Sequence, residues 1–518
     1  MTGTTPSTDS MIAPSAASDE VTKHPTHIPG FDQIARGGLP LGRTTVVSGT
    51  AGCGKTVFAS QFLVQGIRHD NEPGVFVTFE ESPEDIRRNV KGFGWDIAEL
   101  ERQGKWAFVD GSRDPDDHTE FAGAYDLGAL IARIMRAIEK ISATRVALDS
   151  LGAVFSQFSD TSVVRNEMFR IAVDLKRKGV TAVMTAERTA EYGEIARYGI
   201  EEFVADNVII MRNVLEEEKR RRTLEILKFR GTSHQKGEYP FTILPDRGLV
   251  IVPLSAIELK QNSSDVRVTS GVRELDEMTS GGYFRDSIVL VSGATGTGKT
   301  LLTAEFIKGG FDNGEKVLLF AFEESRDQLG RNARGWGIDF EAMEAEGRLK
   351  VVCRYPEVAG PEDHLIHMKT MIDEYKPDRV AIDSLSALER VTSPKSFREF
   401  VLSITSFVKH KDMCGLFTAT TERLLGGSSI TETHISTITD SIILLRYVER
   451  FGEVHRGLTV LKMRGSDHDK AIRNFHIDGD GMHIGDQLSE VTGILAGRPV
   501  NERRSQGMLS DDTHDDMP

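Results

Sequence analysis

Two segments of this chain, GTAGCGKT at 49–56 and GATGTGKT at 293–300, spell the same glycine-rich loop ending in Lys-Thr. Their lysines, Lys55 and Lys299, stand 244 positions apart. Other motifs keep step. FEES recurs at 79–82 and 322–325, a shift of 243. An apolar run closing in Asp-Ser recurs at Asp149 and Asp383, and K-x-R-G recurs from Lys228 and from Lys462, both shifted by 234. Motifs in one order at nearly one offset mark a duplicated domain, since the period is far too long for a solenoid repeat. A chain of 518 residues has room for two such cores.

Composition shifts set the boundaries. Residues 1–27 are rich in Ser, Thr, Pro and Ala and lack the basic start and apolar core of a signal peptide, so they read as a disordered arm. An N-terminal domain follows over 28–252. The polar stretch KQNSSD lies in a linker at 253–268, and a C-terminal domain covers 269–486. Residues 487–518 read as a C-terminal loop and an acidic disordered tail. No apolar run approaches the ~20 residues of a membrane helix. Cys53, Cys353 and Cys414 form neither a metal pattern nor a disulfide framework, which points to a reducing cytoplasm. The net charge of -15 counts against a protein built to grip duplex DNA.

Within the first half, TTVVS (44–48), VFVTF (75–79), WAFVD (106–110), RVALD (145–149) and VTAVMT (180–185) are short β-branched or aromatic runs. Charged segments with helical periodicity separate them. The expected fold is α/β with a mainly parallel central sheet in each half. Later strands near 208–211, 223–229 and 249–252 have short connections and suggest an antiparallel extension.

G-x-x-x-x-G-K-T between a strand and a helix is a phosphate-binding P-loop. Its glycines let backbone N–H groups turn inward on phosphate oxygens, and the helix N-terminus adds a positive dipole end. Lys55 and Lys299 are expected on the β- and γ-phosphates of ATP, and Thr56 and Thr300 on Mg²⁺. Asp149 and Asp383 close apolar strands as a Walker B carboxylate does. Glu80-Glu81 and Glu323-Glu324 follow a second strand, where a carboxylate can orient or deprotonate an attacking hydroxyl. Neighbouring strand residues face opposite ways, so one of each pair, Glu80 or Glu323, is expected to act and its partner to support it. Lys228 with Arg230, and Lys462 with Arg464, share a strand face, while Phe229 and Met463 turn into packing. Such cation pairs can grip a triphosphate; projecting from a domain edge, they would reach a neighbour's nucleotide.

The halves differ at one place. At the 234 offset, Ser436 faces Glu202, Thr437 faces Phe203 and Thr439 faces Ala205. The second half alone has hydroxyls there. It is therefore expected to phosphorylate itself as well as to hydrolyse ATP, unless these residues merely cap and turn the chain.

The paired P-loops, doubled FEES, Asp-Ser strand ends, KMRGS at 462–466 and ITETHISTITD at 430–440 together closely resemble the KaiC family of cyanobacterial circadian clock ATPases and autokinases. The resemblance runs from about residue 28 to 497. It implies two tandem RecA-like domains, a homohexamer with ATP between subunits, hydrolysis in the N-terminal ring, and autokinase and autophosphatase activity in the C-terminal ring. It implies Ser436 and Thr437 as phosphoacceptors with Thr431 as an auxiliary one, Glu323 and Glu324 as the kinase pair with Glu323 also toward the metal, and Glu80 and Glu81 as the hydrolytic pair. Implied nucleotide positions in the first half are Gly52, Cys53, Gly54, Lys55, Thr56, Val57, Asp149, Lys228, Phe229, Arg230, Thr232 and His234. In the second they are Thr295, Gly296, Thr297, Gly298, Lys299, Thr300, Leu301, Trp336, Asp383, Arg456, Lys462, Met463, Arg464 and Ser466.

Partners are implied as well. DPDDHTEFAGAYD at 114–126 looks like the region that docks a KaiB-like protein, and LSEVTGILAG at 488–497 resembles the loop that a KaiA-like protein withdraws. An output histidine kinase would read the ring. The tail after Pro499 differs from the family's usual one and counts against KaiA docking. Cys53 replaces a small hydroxyl residue, which would allow redox sensitivity or simply fill space. Asp467 stands where the family often has Trp. Rival readings are a RecA- or DnaB-like nucleic-acid motor, which the acidity disfavours, and a KaiC-like signalling ATPase without a rhythm.

Overall fold

The computed structural model describes residues 21–111, 127–150, 152, 161–195, 205–216, 219–253, 263–421, 437–450, 452–488, 491–492 and 500–501. The chain divides into two compact units, the first ending at Pro253 and the second beginning at Leu254. Each is an α/β unit around a nine-stranded sheet.

In the first unit the strands are β1 (Thr44–Gly49), β2 (Gly74–Thr78), β3 (Trp106–Asp110), β4 (Arg145–Asp149), β5 (Thr181–Glu187), β6 (Asn207–Glu216), β7 (Lys219–Phe229), β8 (Glu238–Leu244) and β9 (Gly248–Ile251). Their order is β9-β8-β7-β6-β1-β5-β4-β2-β3. In the second unit β10 (Ile288–Gly293), β11 (Val317–Ala321), β12 (Leu349–Cys353), β13 (Arg379–Asp383), β14 (Cys414–Thr420), β15 (Ser441–Arg450), β16 (Glu453–Met463), β17 (Arg473–Asp478) and β18 (Gly481–Gln487) repeat that order strand for strand. The central strands are buried on both faces, as in IVLVSG of β10, which explains their near-continuous apolar sequence.

Two expectations need correction. The strand near Val208 belongs to the parallel set, since β6 runs parallel to β1 and only its other edge pairs antiparallel, with β7. The antiparallel extension contains β8, which the sequence hid behind Pro240; that proline pairs with Thr223 near the start of the strand. Parts of the expected arm and linker also belong to the fold. Lys23–His24 pairs with Leu39–Pro40, and Arg267–Val268 pairs with Tyr283–Phe284 at the equivalent place, 244 positions on.

Two arginines invisible to pattern reading hold the strand that ends in the Walker aspartate. Arg145 opens β4 and is fully buried. It bonds Glu72 at 2.7 Å, Asp70 at 2.9 Å and the Phe62 carbonyl at 3.2 Å. Arg379 opens β13 in the same way, bonding Glu315 and the carbonyls of Thr269 and Phe306, the last two at 2.7 and 3.2 Å. Removing each pair from water is costly and is offset because most guanidinium donors are engaged. Among the described residues, no helix is long and apolar enough to cross a membrane.

Candidate functional site

Each P-loop leaves the carboxyl end of a central strand and enters a helix: β1 into α1 (Lys55–Asp70), β10 into α3 (Lys299–Asp312), with α2 (Pro83–Val90) and α4 (Arg326–Arg334) following the FEES turns. Gly54 and Gly298 cap the P-loop helices at φ 105° and 107°. Only glycine suits both the angle and the space, because a Cβ there would lie 2.8 Å from Ile243 and 3.1 Å from Ile477. The lysine ammonium groups fold back along their loops. Lys55 donates to the carbonyls of Gly49 and Thr50 at 2.9 and 3.0 Å, and Lys299 to those of Gly293 and Ala294 at 2.8 and 3.0 Å. Burial pushes the Lys299 ammonium down, against the pull of Asp383 and Glu323. Thr295 and Gly296 form the loop crown, where the Tyr447 hydroxyl donates to the Thr295 carbonyl at 3.4 Å. Thr297 is buried, as is Leu301, and Val57 packs against the first core.

Each P-loop threonine meets the strand-closing aspartate of its own unit. Thr56 donates to Asp149 at 2.7 Å, and Thr300 bonds Asp383. Thr185 and Thr418, which sequence reasoning missed, also donate to these aspartates, Thr185 to the second oxygen of Asp149. Burial pushes Asp383 up, opposed by the two threonine hydroxyls. The peptide bond after each aspartate is cis.

The glutamate pairs lie in the bends just past the strand ends at Thr78 and Ala321, so strand alternation does not govern them; the two members of each pair nevertheless have different partners. Glu81 accepts from Asn89 and Glu324 from Asn332, each at 2.9 Å, and burial pushes both carboxyls up. Their partners point elsewhere. Glu80 accepts from Ser150 at 2.7 Å, beside Asp149. Glu323 lies in the field of Lys299 and accepts from Arg390 at 2.6 Å. Here the two sites differ, because the residue 234 positions before Arg390 is Ser156. The FEES serines serve the helices instead, Ser82 capping α2 and Ser325 capping α4. Asn89 and Asn332 were legible in principle, as the repeated Arg-Asn at 88–89 and 331–332.

The basic pairs lie at the far end of the sheet. Phe229 pairs with Asn207, which pairs with Thr45, four residues before Gly49; Met463, Ser441, Val289 and Gly293 repeat this. At ~3.3 Å per residue the cations sit about 13 Å along the strands from the P-loop of their own unit. A bulge at Leu227 and at Leu461 sets each pair. Lys228 and Arg230 are exposed while Phe229 is buried, and Met463 is likewise buried. Lys462 donates to the Thr439 carbonyl at 2.7 Å, and burial beside Arg464 pushes its ammonium down. Arg464 donates to the Thr437 carbonyl at 2.8 Å, and Thr437 is exposed. Thr437 therefore adjoins the cations, at the opposite end of the strands from the Lys299 loop. Thr232 and His234 follow β7 at this end, with the His234 ring edge-on to Phe229 at 5.4 Å, and Ser466 accepts from Arg267 at 2.6 Å.

Arg456 lies at the P-loop end, opposite Tyr447 on β15. Its Nε is buried without a hydrogen-bond partner among the described residues. Arg222, 234 positions earlier, has an orphaned Nε as well, and sequence reasoning missed it although the offset names it. A buried donor without an acceptor is costly unless a ligand supplies one. Trp336 is half-buried against the second core. Cys53 is fully buried, and desolvation pushes its thiol up, which makes it a packing residue rather than a redox one. Ser436, Thr431 and the segment 114–126 lie outside the described residues, as does most of 488–497.

Comparison with known proteins agrees with this geometry. The family model for the ATPase KaiC matches residues 24–256 and again 268–489. The circadian clock protein KaiC3 of Synechocystis sp. is 64% identical over 488 residues, covering 94% of this chain and 96% of that one. The circadian clock oscillator protein KaiC of Thermostichus vulcanus is 58% identical over 484 residues, covering 93% of each. That of Synechococcus elongatus is 57% identical over 480 residues, covering 93% of this chain and 92% of its own. With two matches that follow the internal duplication and relatives aligned nearly end to end, this chain belongs to the KaiC family of ATPases.

Proposed function

We propose that this chain is a timing ATPase that hydrolyses ATP in its first unit and phosphorylates its own Ser436 and Thr437 with its second, as a homohexamer. The observation that carries the reading is the placement of Thr437 with Lys462 and Arg464 about 13 Å along the sheet from the Lys299 loop. Transfer needs reacting atoms ~3–3.5 Å apart. Donor and acceptor can then meet only between subunits, in a head-to-tail contact that closes as a ring. Lys228 and Arg230 occupy the same place in the first unit and would reach a neighbour's nucleotide there.

The residues present suit a magnesium nucleotide. The loop glycines hold positive φ angles that favour glycine, leaving their N–H groups free to turn inward, and the orphaned Arg222 and Arg456 Nε atoms await an acceptor. Thr56 and Thr300, backed by Asp149 and Asp383, would hold Mg²⁺, with Glu323 nearby; the ion neutralises charge on the phosphates when bound. Lys55 and Lys299 exchange loop carbonyls for phosphate oxygens. Glu323 takes the proton of the attacking Ser436 or Thr437 hydroxyl, and Glu80 that of a water, while Glu81 and Glu324 are fixed by Asn89 and Asn332. Arg390 holds Glu323 in the second site, where Ser150 holds Glu80 in the first. That contrast suits two acceptors of different size.

In this reading the phosphorylation state of the second ring is the timer. A KaiB-like protein would dock on the first ring, and an output histidine kinase would read the state. A KaiA-like protein acting at 488–497 is the weakest of these proposals because of the tail. The test is the variant with Glu323→Gln and Glu324→Gln. It should lose incorporation of γ-phosphate and keep hydrolysis by the first unit; phosphorylation persisting in it refutes the assignment of the base.

A further inference from the structure

Beyond the nucleotide sites, the hairpin of β17 and β18 carries a second constellation. Strand alternation sends Phe475, Ile477, Met482 and Ile484 inward, where Phe475, Met482 and Ile484 are buried in the second core and Ile477 packs against it. The residues between them, His476, Asp478 and His483, share the outer face. His476 and His483 are direct cross-strand partners, their rings stacked at 4.8 Å with 19° between planes. Both turn Nε2 toward one carboxylate: His483 lies 3.0 Å from Asp478 Oδ1, and His476 lies 3.6 Å from Oδ2. The backbone N–H of Asp480 donates to Asp478 Oδ1 at 2.9 Å and orients that carboxylate.

We propose that His476, Asp478 and His483 form a surface site for a divalent transition metal of the zinc type. One ligand atom from each residue lies within 4.8 Å of the others. Tetrahedral zinc with bonds of ~2.0–2.2 Å separates its ligand atoms by roughly 3.3–3.6 Å. The two histidines lie 3.0 and 3.6 Å from different oxygens of Asp478, so small side-chain rotations bring both Nε2 atoms and one oxygen to that spacing. Two imidazoles and one carboxylate suit zinc, copper or nickel over magnesium, which prefers oxygen ligands and octahedral geometry. Exposure leaves the fourth position to water. The first unit has no such set: at the 234 offset the matching residues are Thr242, Leu244 and Leu249. The site is therefore private to the second unit. It is also coupled to the nucleotide loop, because Ile477 and Met482 back Gly298 and the Met482 N–H donates to Glu305 of α3 at 3.2 Å.

The test is zinc alone, added to chelator-treated full-length protein kept in excess Mg²⁺ and ATP, which hold the nucleotide sites. We expect one tightly bound zinc per chain by equilibrium dialysis, and with Co²⁺ the intense visible absorption of a tetrahedral centre. The variant with His476→Ala and His483→Ala should lose that equivalent and that absorption, with unchanged melting in the absence of metal. Asp478→Asn, which keeps the acceptor for the Asp480 N–H, should weaken binding at least about 10-fold. Zinc stoichiometry equal in wild type and double variant, or no uptake by wild type below millimolar zinc, would overturn the proposal and leave His476 and His483 as an ion-paired surface stack.

Discussion

Consider a ring assembled from two crippled chains. One carries Glu323→Gln, keeps every hydroxyl and cannot donate; the other carries Thr431→Ala, Ser436→Ala and Thr437→Ala and cannot accept. Neither alone should be labelled by γ-phosphate. The proposed head-to-tail ring sets what mixing does. In one chain Thr437 precedes Ser441, which pairs with Val289, while the Lys299 loop begins beyond Gly293. That is about 13 Å along the strand, far beyond the ~3–3.5 Å of an attacking pair. Transfer to Thr437 inside one chain would require that residue to leave its place beside Arg464. In a head-to-tail ring every acceptor faces the next subunit's loop. With equal, random mixing, half of the chains offer an acceptor and half of their neighbours a working loop. Label should return to about one quarter of wild type and sit entirely on the Glu323→Gln chain. Separating the two chains by mass and reading phosphate on each checks this. An unlabelled mixture, with rings shown to contain both chains, refutes the trans geometry.

Arg222→Ala and Arg456→Ala should each weaken nucleotide binding in their own unit by about 10- to 100-fold, from loss of a charged hydrogen bond of ~1.5–3 kcal/mol; unchanged titration of a fluorescent ATP analogue would contradict it. Arg379→Ala empties a buried position and strips the partner from half-buried Glu315, and should destabilise the second unit by roughly 3 kcal/mol, read by chemical denaturation of the nucleotide-bound protein. Arg390→Ser copies the first site's sequence and should lower autophosphorylation while leaving nucleotide affinity in place, seen as a loss of rate at saturating ATP. Burial pushes the Cys414 thiol up to about 12 and the Cys53 thiol up as well, so the thiolate, which is the reactive form, is depleted at neutral pH and gains only as pH rises toward those values. Burial also pushes the Cys353 thiol up, but Cys353 is only half-buried while the other two are buried, so mapping by a thiol reagent at pH 8 should modify it first.

Some of this protein is written in its sequence because the physics is local. A P-loop needs glycine where φ is positive, a lysine at the helix start and a threonine beside it, all within eight residues. Duplication doubled the signal, and the resemblance to KaiC proteins added roles to the positions. Strand alternation is the wrong rule for the glutamates of FEES, which lie in bends beyond the strand ends at Thr78 and Ala321, where only the turn itself decides which way each carboxylate faces.

Tertiary structure decided what depends on non-local pairing. The sequence shows K-x-R-G but not which end of the sheet bears it; that follows from β7 and β16 running antiparallel to their neighbours. The bulges at Leu227 and Leu461 break the two-residue period and are invisible to it. Arg145 and Arg379 carry no local sign of their burial, because burial of an arginine rests on carboxylates and carbonyls from distant segments. Likewise His476 and His483 are seven apart in the chain and become partners only when a hairpin sets its register. Chemistry confined to one turn is spelled by consecutive residues, whereas chemistry assembled across strands exists only once hydrogen bonding has chosen which residues stand opposite one another.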